Sequence, residues 1–207
     1  NLLFLIFNLE TMVIGITGSL GVGKTTVAGL FRRLGARVIN ADRIAHKIIK
    51  PGTPAYKRII STFGRGVLRG NYISRRKLAA IVFSDRQALE KLNRITHPGI
   101  IRIIKDEIRG CNQNEVLVIE AALLIEAGLL SRIDKLVVVK SGQVVVKQRL
   151  KKSGFSPKQL KARLAVQLSQ DKKIRLADYV IDNRASIRYT EEEVKKVWYD
   201  IIKNAAY

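Results

Sequence analysis

Gly18-Ser19-Leu20-Gly21-Val22-Gly23-Lys24-Thr25 carries glycines, a lysine and a hydroxyl at the spacing of a loop that wraps phosphates. The glycines permit tight backbone turns, so successive N–H groups converge on phosphate oxygens. Lys24 can reach β- and γ-phosphates, the Thr25 hydroxyl can serve Mg²⁺, and Thr26 follows at the start of the helix. The context agrees: apolar Met12–Thr17 reads as a buried strand before the loop, and Thr25–Leu34 reads as a helix after it. That helix adds partial positive charge at its N-terminus, where an anion would sit.

The remaining candidates lie where strands end, because ligands of open parallel sheets bind beyond the carboxyl ends of the strands. Four further apolar runs read as strands, at 37–39, 116–119, 136–139 and 179–181. Their near-continuous hydrophobicity suits strands covered on both faces. Asp42 follows the second strand, either as a base for an attacking hydroxyl or as the cap of a helix near Arg43. Glu120 closes the third, either as an acid that holds Mg²⁺ through water or as a plain strand terminus. Arg149 and Arg163 stand in a basic run with Lys151, Lys152, Lys158 and Lys161. Such a run is a solvated face by default, yet it also suits a cover that supplies charge to phosphoryl transfer and excludes water.

Strands alternating with helices imply an α/β fold with a five-stranded parallel sheet flanked by helices. Residues 42–112 interrupt the alternation with no strong strand and several helix signals. Ser84 with Gln87 forms a capping-box pattern, and Pro98 suits a first helical position. A second insertion holds a helix starting at Ser156, Pro157 and Gln159 and running to about Leu168. Thr190 with Glu193 predicts the cap of the last helix, whose Val194, Val197, Trp198 and Ile201 share one face, placing Trp198 in the core.

The 207 residues are enough for a substantial core, and 47% hydrophobic with 27% charged residues is a globular composition. One cysteine, Cys111, excludes an internal disulfide, fits a cytoplasmic, reducing compartment and reads as structural. Two distant histidines argue against zinc. The apolar stretch 1–7 is too short to span a bilayer, and residues 1–11 read as an upstream extension, with function beginning at Met12. A net charge of +21 points to polyanionic partners or a field over a phosphate site. Aromatic residues, at 6%, do not interleave with the basic ones, and there is no basic tail, which counts against nucleic acid.

Over residues 12–200 the chain resembles the dephospho-CoA kinase family. Beyond Ile14–Thr25, the resemblance rests on Val38–His46, Pro51–Tyr56, Arg75–Leu78 with Ile81–Phe83, and Leu92–Pro98. It continues through Leu123–Leu129, Gln148–Leu150, Arg163–Gln167 and Ala177–Asn183. The Thr96-His97-Pro98 and Ala177–Asn183 stretches are its most specific parts. The resemblance implies a P-loop kinase core (12–41, 113–140, 176–207), a helical substrate domain (42–112) and a helical lid (141–175). It implies ATP and Mg²⁺, with transfer of the γ-phosphate to the ribose 3′-hydroxyl of dephospho-CoA, a small-molecule partner. Gly18 to Thr26 would bind the nucleotide, Lys24 would be catalytic, and Thr25 with Glu120 would hold the metal. Asp42 would act as base or orient the hydroxyl, and Arg149 and Arg163 would close from the lid. Arg76, Lys77, His97, Asp42 and Glu120 would face the acceptor. The chain departs from the family's pattern at Asn40, where an acid is usual, at Glu120 and Ala122, in place of aspartate and proline, and at Lys151 or Lys152, where arginine is common. A nucleoside or nucleotide kinase on the same core is the alternative, and a nucleic-acid-binding P-loop ATPase a more distant one.

Overall fold

The computed structural model describes residues 11–204. The expected upstream extension therefore lies, but for Thr11, outside the described residues. In chain order the elements are β1 (Met12–Thr17), α1 (Lys24–Arg33), β2 (Arg37–Asn40), α2 (Ala41–Ile48), α3 (Pro54–Phe63), β3 (Leu68–Arg69) and β4 (Tyr72–Ile73). There follow α4 (Arg75–Val82), α5 (Arg86–Arg109), β5 (Val116–Glu120), β6 (Lys135–Lys140), α6 (Gln143–Lys151), α7 (Pro157–Ala165), α8 (Gln170–Arg175), β7 (Tyr179–Asp182) and α9 (Ile187–Asn204). They form two compact units, one of residues 41–107 and the other of residues 11–40 and 108–204.

The larger unit holds a parallel sheet in the order β2-β5-β1-β6-β7. All five strands coincide with the apolar runs. The central strands β1, β5 and β6 bury nearly every side chain, as sheet faces covered on both sides require. The main core joins Ile14, Ile16, Val118, Val137 and Val139 of the sheet to Val27 and Phe31 of α1 and Val194 and Ile201 of α9. Trp198 meets Phe31 edge to face, with ring centroids 6.2 Å apart, and is core as expected. Parallel register aligns the strand ends, so Asn40 pairs with Glu120 and Glu120 with Ile16, one residue before Thr17 and the loop.

The smaller unit has its own core of Ile59, Val67, Leu78, Val82 and Ile95. Two local expectations are corrected in this unit, and one short pairing is added. A short antiparallel hairpin, β3–β4, lies in the stretch read as holding no strong strand, turning at Gly70 and Asn71. Strands of two residues leave no periodicity to read. The cap of α5 is Asp85, whose carboxylate accepts from the N–H groups of Gln87 and Ala88, whereas the Ser84 hydroxyl donates back to Ala80 and Ile81. Pro98 lies inside α5, not at its start. Ile95 and Ile104, buried on either side, hold the helix continuous, and Arg94 and Pro98 are exposed, so water can serve the carbonyl that proline leaves without a donor.

In the larger unit the Ser156–Gln159 capping box forms as expected, although α7 ends at Ala165. The last helix begins earlier than read: the Ser186 hydroxyl accepts from the Tyr189 N–H, and Thr190 sits within the helix with a fully buried side chain that serves another purpose. Among the described residues no helix is long and apolar enough to cross a membrane.

Candidate active site

The loop between β1 and α1 is shaped by left-handed glycines. Gly18 has φ +147°, and a Cβ there would overlap the Val139 carbonyl of β6. Gly23 has φ +94°, and a Cβ there would overlap the Asn183 amide. Side chains at either position would thus break the packing of the loop against the strand ends. No residue of α1's own first turn is acidic, so the helix itself carries no charge that offsets its positive end.

Lys24 is nearly buried, and its ammonium donates to the carbonyls of Gly18 and Ser19, each at 3.1 Å. It therefore arches over the loop that it belongs to. The Thr25 hydroxyl donates to Glu120 Oε1 at 2.6 Å, and Asn40 Nδ2 donates to Oε2 at 2.8 Å. Glu120 is 5% exposed, and these two donors satisfy the carboxylate where β5 ends. The Glu120 side chain thus ties the end of β5 to the first turn of α1 and to the end of β2. Thr25 and Glu120 place two hard oxygens side by side at the loop, a donor pair that suits Mg²⁺, which takes one or two protein oxygens plus substrate phosphates. Among the described residues no cluster of three or more His, Cys, Asp or Glu would hold a metal by itself.

Arg149, from α6, donates to the carbonyls of Val22 at 3.0 Å and of Gly21 and Asn183 at 3.4 Å. The basic residue singled out in the sequence therefore reaches the loop, through its carbonyls. Arg163 sits on α7 with its guanidinium 4.3 Å above the Phe155 ring, a cation–π contact. Ser19, Leu20 and Thr26 line the same loop and helix start, and the Ser19 N–H is accepted by Gln170 of α8 at 2.9 Å.

The other expected residues belong to the smaller unit. Asp42 is the second residue of α2, exposed and in the first turn, two residues past the cap position, which Asn40 occupies. Arg76 and Lys77 open α4, both exposed, and Lys77 Nζ donates to the Leu68 carbonyl at 2.7 Å. His97 lies on α5, and burial lowers its pKa below the usual 6.5, which favours the neutral ring. Arg75 donates to the His46 ring at 2.8 Å, beside Lys50, Tyr72 and two isoleucines around an open groove of about 260 Å³.

Several residues here escaped the sequence. Lys173 is fully buried; its ammonium pairs with Glu126 Oε1 at 3.0 Å and donates to the Ala122 carbonyl at 2.6 Å. It fastens the segment after β5 to α8. In sequence it is one lysine of a Lys172-Lys173 pair, with nothing to mark it for burial. Gln170 bridges the Ser19 N–H and the Val139 carbonyl, and Asn183 and Thr190 back the loop.

A sequence model described as dephospho-CoA kinase matches residues 12–189. Among curated proteins, the dephospho-CoA kinase of Aquifex aeolicus is 41% identical over 193 residues, 92% of this chain and 98% of that protein. The dephospho-CoA kinase of Carboxydothermus hydrogenoformans is 39% identical, over 88% of this chain and 90% of that protein. Among solved structures, dephospho-CoA kinase from Campylobacter jejuni superposes with a TM-score of 0.68 at 29% identity, covering 93% of this chain and 98% of that one. Shikimate kinase from Acinetobacter baumannii, at 16% identity and a TM-score of 0.54 over 94% and 96% of the two chains, shares the fold.

Proposed function

The chain belongs to the dephospho-CoA kinase family, and on that footing we propose which of its residues carry the transfer of the ATP γ-phosphate to the ribose 3′-hydroxyl of dephospho-CoA. The observation that supports the reading best is the loop itself, with buried Lys24 inside it and the Thr25–Glu120 pair at its rim.

Gly18 to Thr25 would wrap the phosphates, with the backbone N–H groups beyond Ser19, whose own N–H is held by Gln170, as donors, and Thr26 would extend the cradle at the first turn of α1. Lys24 would leave the carbonyls of Gly18 and Ser19 for the β- and γ-phosphate oxygens, where its charge counts most as negative charge redistributes. Thr25 and Glu120 would hold Mg²⁺, which supplies charge neutralisation at those oxygens when bound. Asp42, exposed in the first turn of α2, would accept the proton of the attacking hydroxyl, or orient that hydroxyl. Arg149 and Arg163, both in the acid-free stretch 141–170, would bring positive charge over the phosphates. Arg76, Lys77 and His97 would meet the acceptor: two cations suit its phosphates, and a neutral imidazole suits a hydrogen bond to its sugar or base.

The experiment is ADP release from Mg-ATP with dephospho-CoA as acceptor, run beside adenosine, CMP and single-stranded DNA. Turnover that needs dephospho-CoA and ignores the others is expected. Equal turnover with CMP or adenosine would move the chain to nucleotide or nucleoside phosphorylation, and stimulation by DNA alone would overturn the acceptor.

A further inference from the structure

Behind the phosphate loop lies a polar group buried as completely as the apolar core. Asn183, 3% exposed, follows β7, and Thr190, 0% exposed, lies one turn into α9. Asn183 Nδ2 donates to the Val22 carbonyl at 2.8 Å, and the Thr190 hydroxyl donates to Asn183 Oδ1 at 3.0 Å. The Asn183 main-chain carbonyl accepts from Ser141 Oγ at 2.9 Å and from Arg149 at 3.4 Å. Every polar atom of the side chain is therefore used, and the direction is forced. The Val22 carbonyl can only accept, so the amide must turn its nitrogen to the loop and its oxygen to the hydroxyl of Thr190.

We infer that Asn183, oriented by Thr190, is a positioning residue for the nucleotide phosphates: it holds the Val22–Gly23 peptide with its carbonyl turned away from the ligand and its N–H turned toward it. A trans peptide is planar, with C=O and N–H on opposite sides, so a partner on the carbonyl decides where the N–H points. Arg149 grips the same carbonyl at 3.0 Å from the α6 side. The Val22–Gly23 peptide is thus clamped from two elements, and Gly23 lacks a Cβ at the point where Asn183 presses on it. A loop whose donors are already aimed loses less order when phosphate arrives, which is the physical route from this clamp to affinity.

The inference rests on the reading of residues 18–25 as the phosphate site, so the test carries a control for that reading. Mg-ATP binding to the full chain is measured by calorimetry for Thr190→Val, Thr190→Ser, Asn183→Asp and Lys24→Ala, each with its melting temperature and its KM for both substrates. Thr190→Val should weaken Mg-ATP binding about tenfold while the KM for dephospho-CoA holds, and Thr190→Ser, which keeps the hydroxyl, should bind like the parent. Asn183→Asp, which sets an oxygen against the Val22 carbonyl, should weaken binding at least as much. Wild-type ATP affinity in folded Thr190→Val or Asn183→Asp, with only the melting temperature lowered, would overturn the inference and leave a structural hydrogen bond. A parallel rise in both KM values would overturn it too. Wild-type affinity in Lys24→Ala would instead remove the phosphate-loop reading, and the clamp with it.

Discussion

Thr25 and Glu120, 95 residues apart in sequence, meet hydroxyl to carboxylate at 2.6 Å. The contact joins the first turn of α1 to the last residue of β5, and Asn40 completes it from the end of β2. Two adjacent strands and the helix after β1 thus bring a hydroxyl, a carboxylate and an amide together where the phosphate loop ends.

Glu120→Gln keeps the size of the side chain and removes its charge. It should raise the Mg²⁺ concentration needed for half-maximal turnover and lower kcat by roughly ten- to a hundredfold, about 1.4 to 3 kcal/mol of transition-state stabilisation. Titration of Mg²⁺ at saturating ATP checks this, with circular dichroism to confirm the fold. An unchanged Mg²⁺ requirement would return Glu120 to a structural strand end.

Asp42→Asn should lower kcat by about 10²- to 10⁴-fold, the usual span for loss of a positioned proton acceptor, while nucleotide affinity holds. The measurement pairs steady-state rates with Mg-ATP binding. Since Asp42 lies inside the first turn of α2, loss of its favourable charge there would cost only about 0.5 kcal/mol of stability, too little to account for such a rate change.

Lys173→Ala should destabilise the protein by about 3 kcal/mol, because it leaves Glu126, only 16% exposed, without its cation, and the Ala122 carbonyl with only the longer 3.4 Å bond from the Thr17 hydroxyl. Urea unfolding of Lys173→Ala, Glu126→Gln and the double variant gives the coupling directly. If the two single changes simply add, the pair does not act as a unit.

His97 links stability to pH. Burial lowers its folded pKa below 6.5, so the native state takes up its proton less readily than the unfolded chain does. Its contribution is therefore complete above pH 6.5 and is lost as pH falls from there through the lower folded value. His97→Gln should flatten the decline of melting temperature between about pH 7 and 5 relative to the parent. An identical slope in the two proteins would show that other groups set it.

Periodicity and composition carried a large part of this molecule. All five strands of the parallel sheet, the phosphate loop with its helix and the core place of Trp198 were legible, because an apolar run covered on both faces and a glycine pattern are local signals. Local signals failed at helix ends. Ser84 and Thr190 looked like caps, yet Asp85 and Ser186 do that work, since any hydroxyl or carboxylate near a helix start satisfies the same pattern. Pro98 looked like a start, yet buried isoleucines on either side hold α5 continuous through it.

What the sequence determined by itself was the fold class, the phosphate chemistry and, through its resemblance to a family, the substrate. The tertiary structure alone decided the partners: Thr25 with Glu120 and Asn40, Arg149 with the loop carbonyls, Lys173 with Glu126, and Asn183 between Val22 and Thr190. The reason is physical. An amphipathic or glycine pattern acts over a few residues, whereas a buried polar group finds its partner wherever the packed sheet brings a donor or acceptor within 3 Å or so, at any separation along the chain.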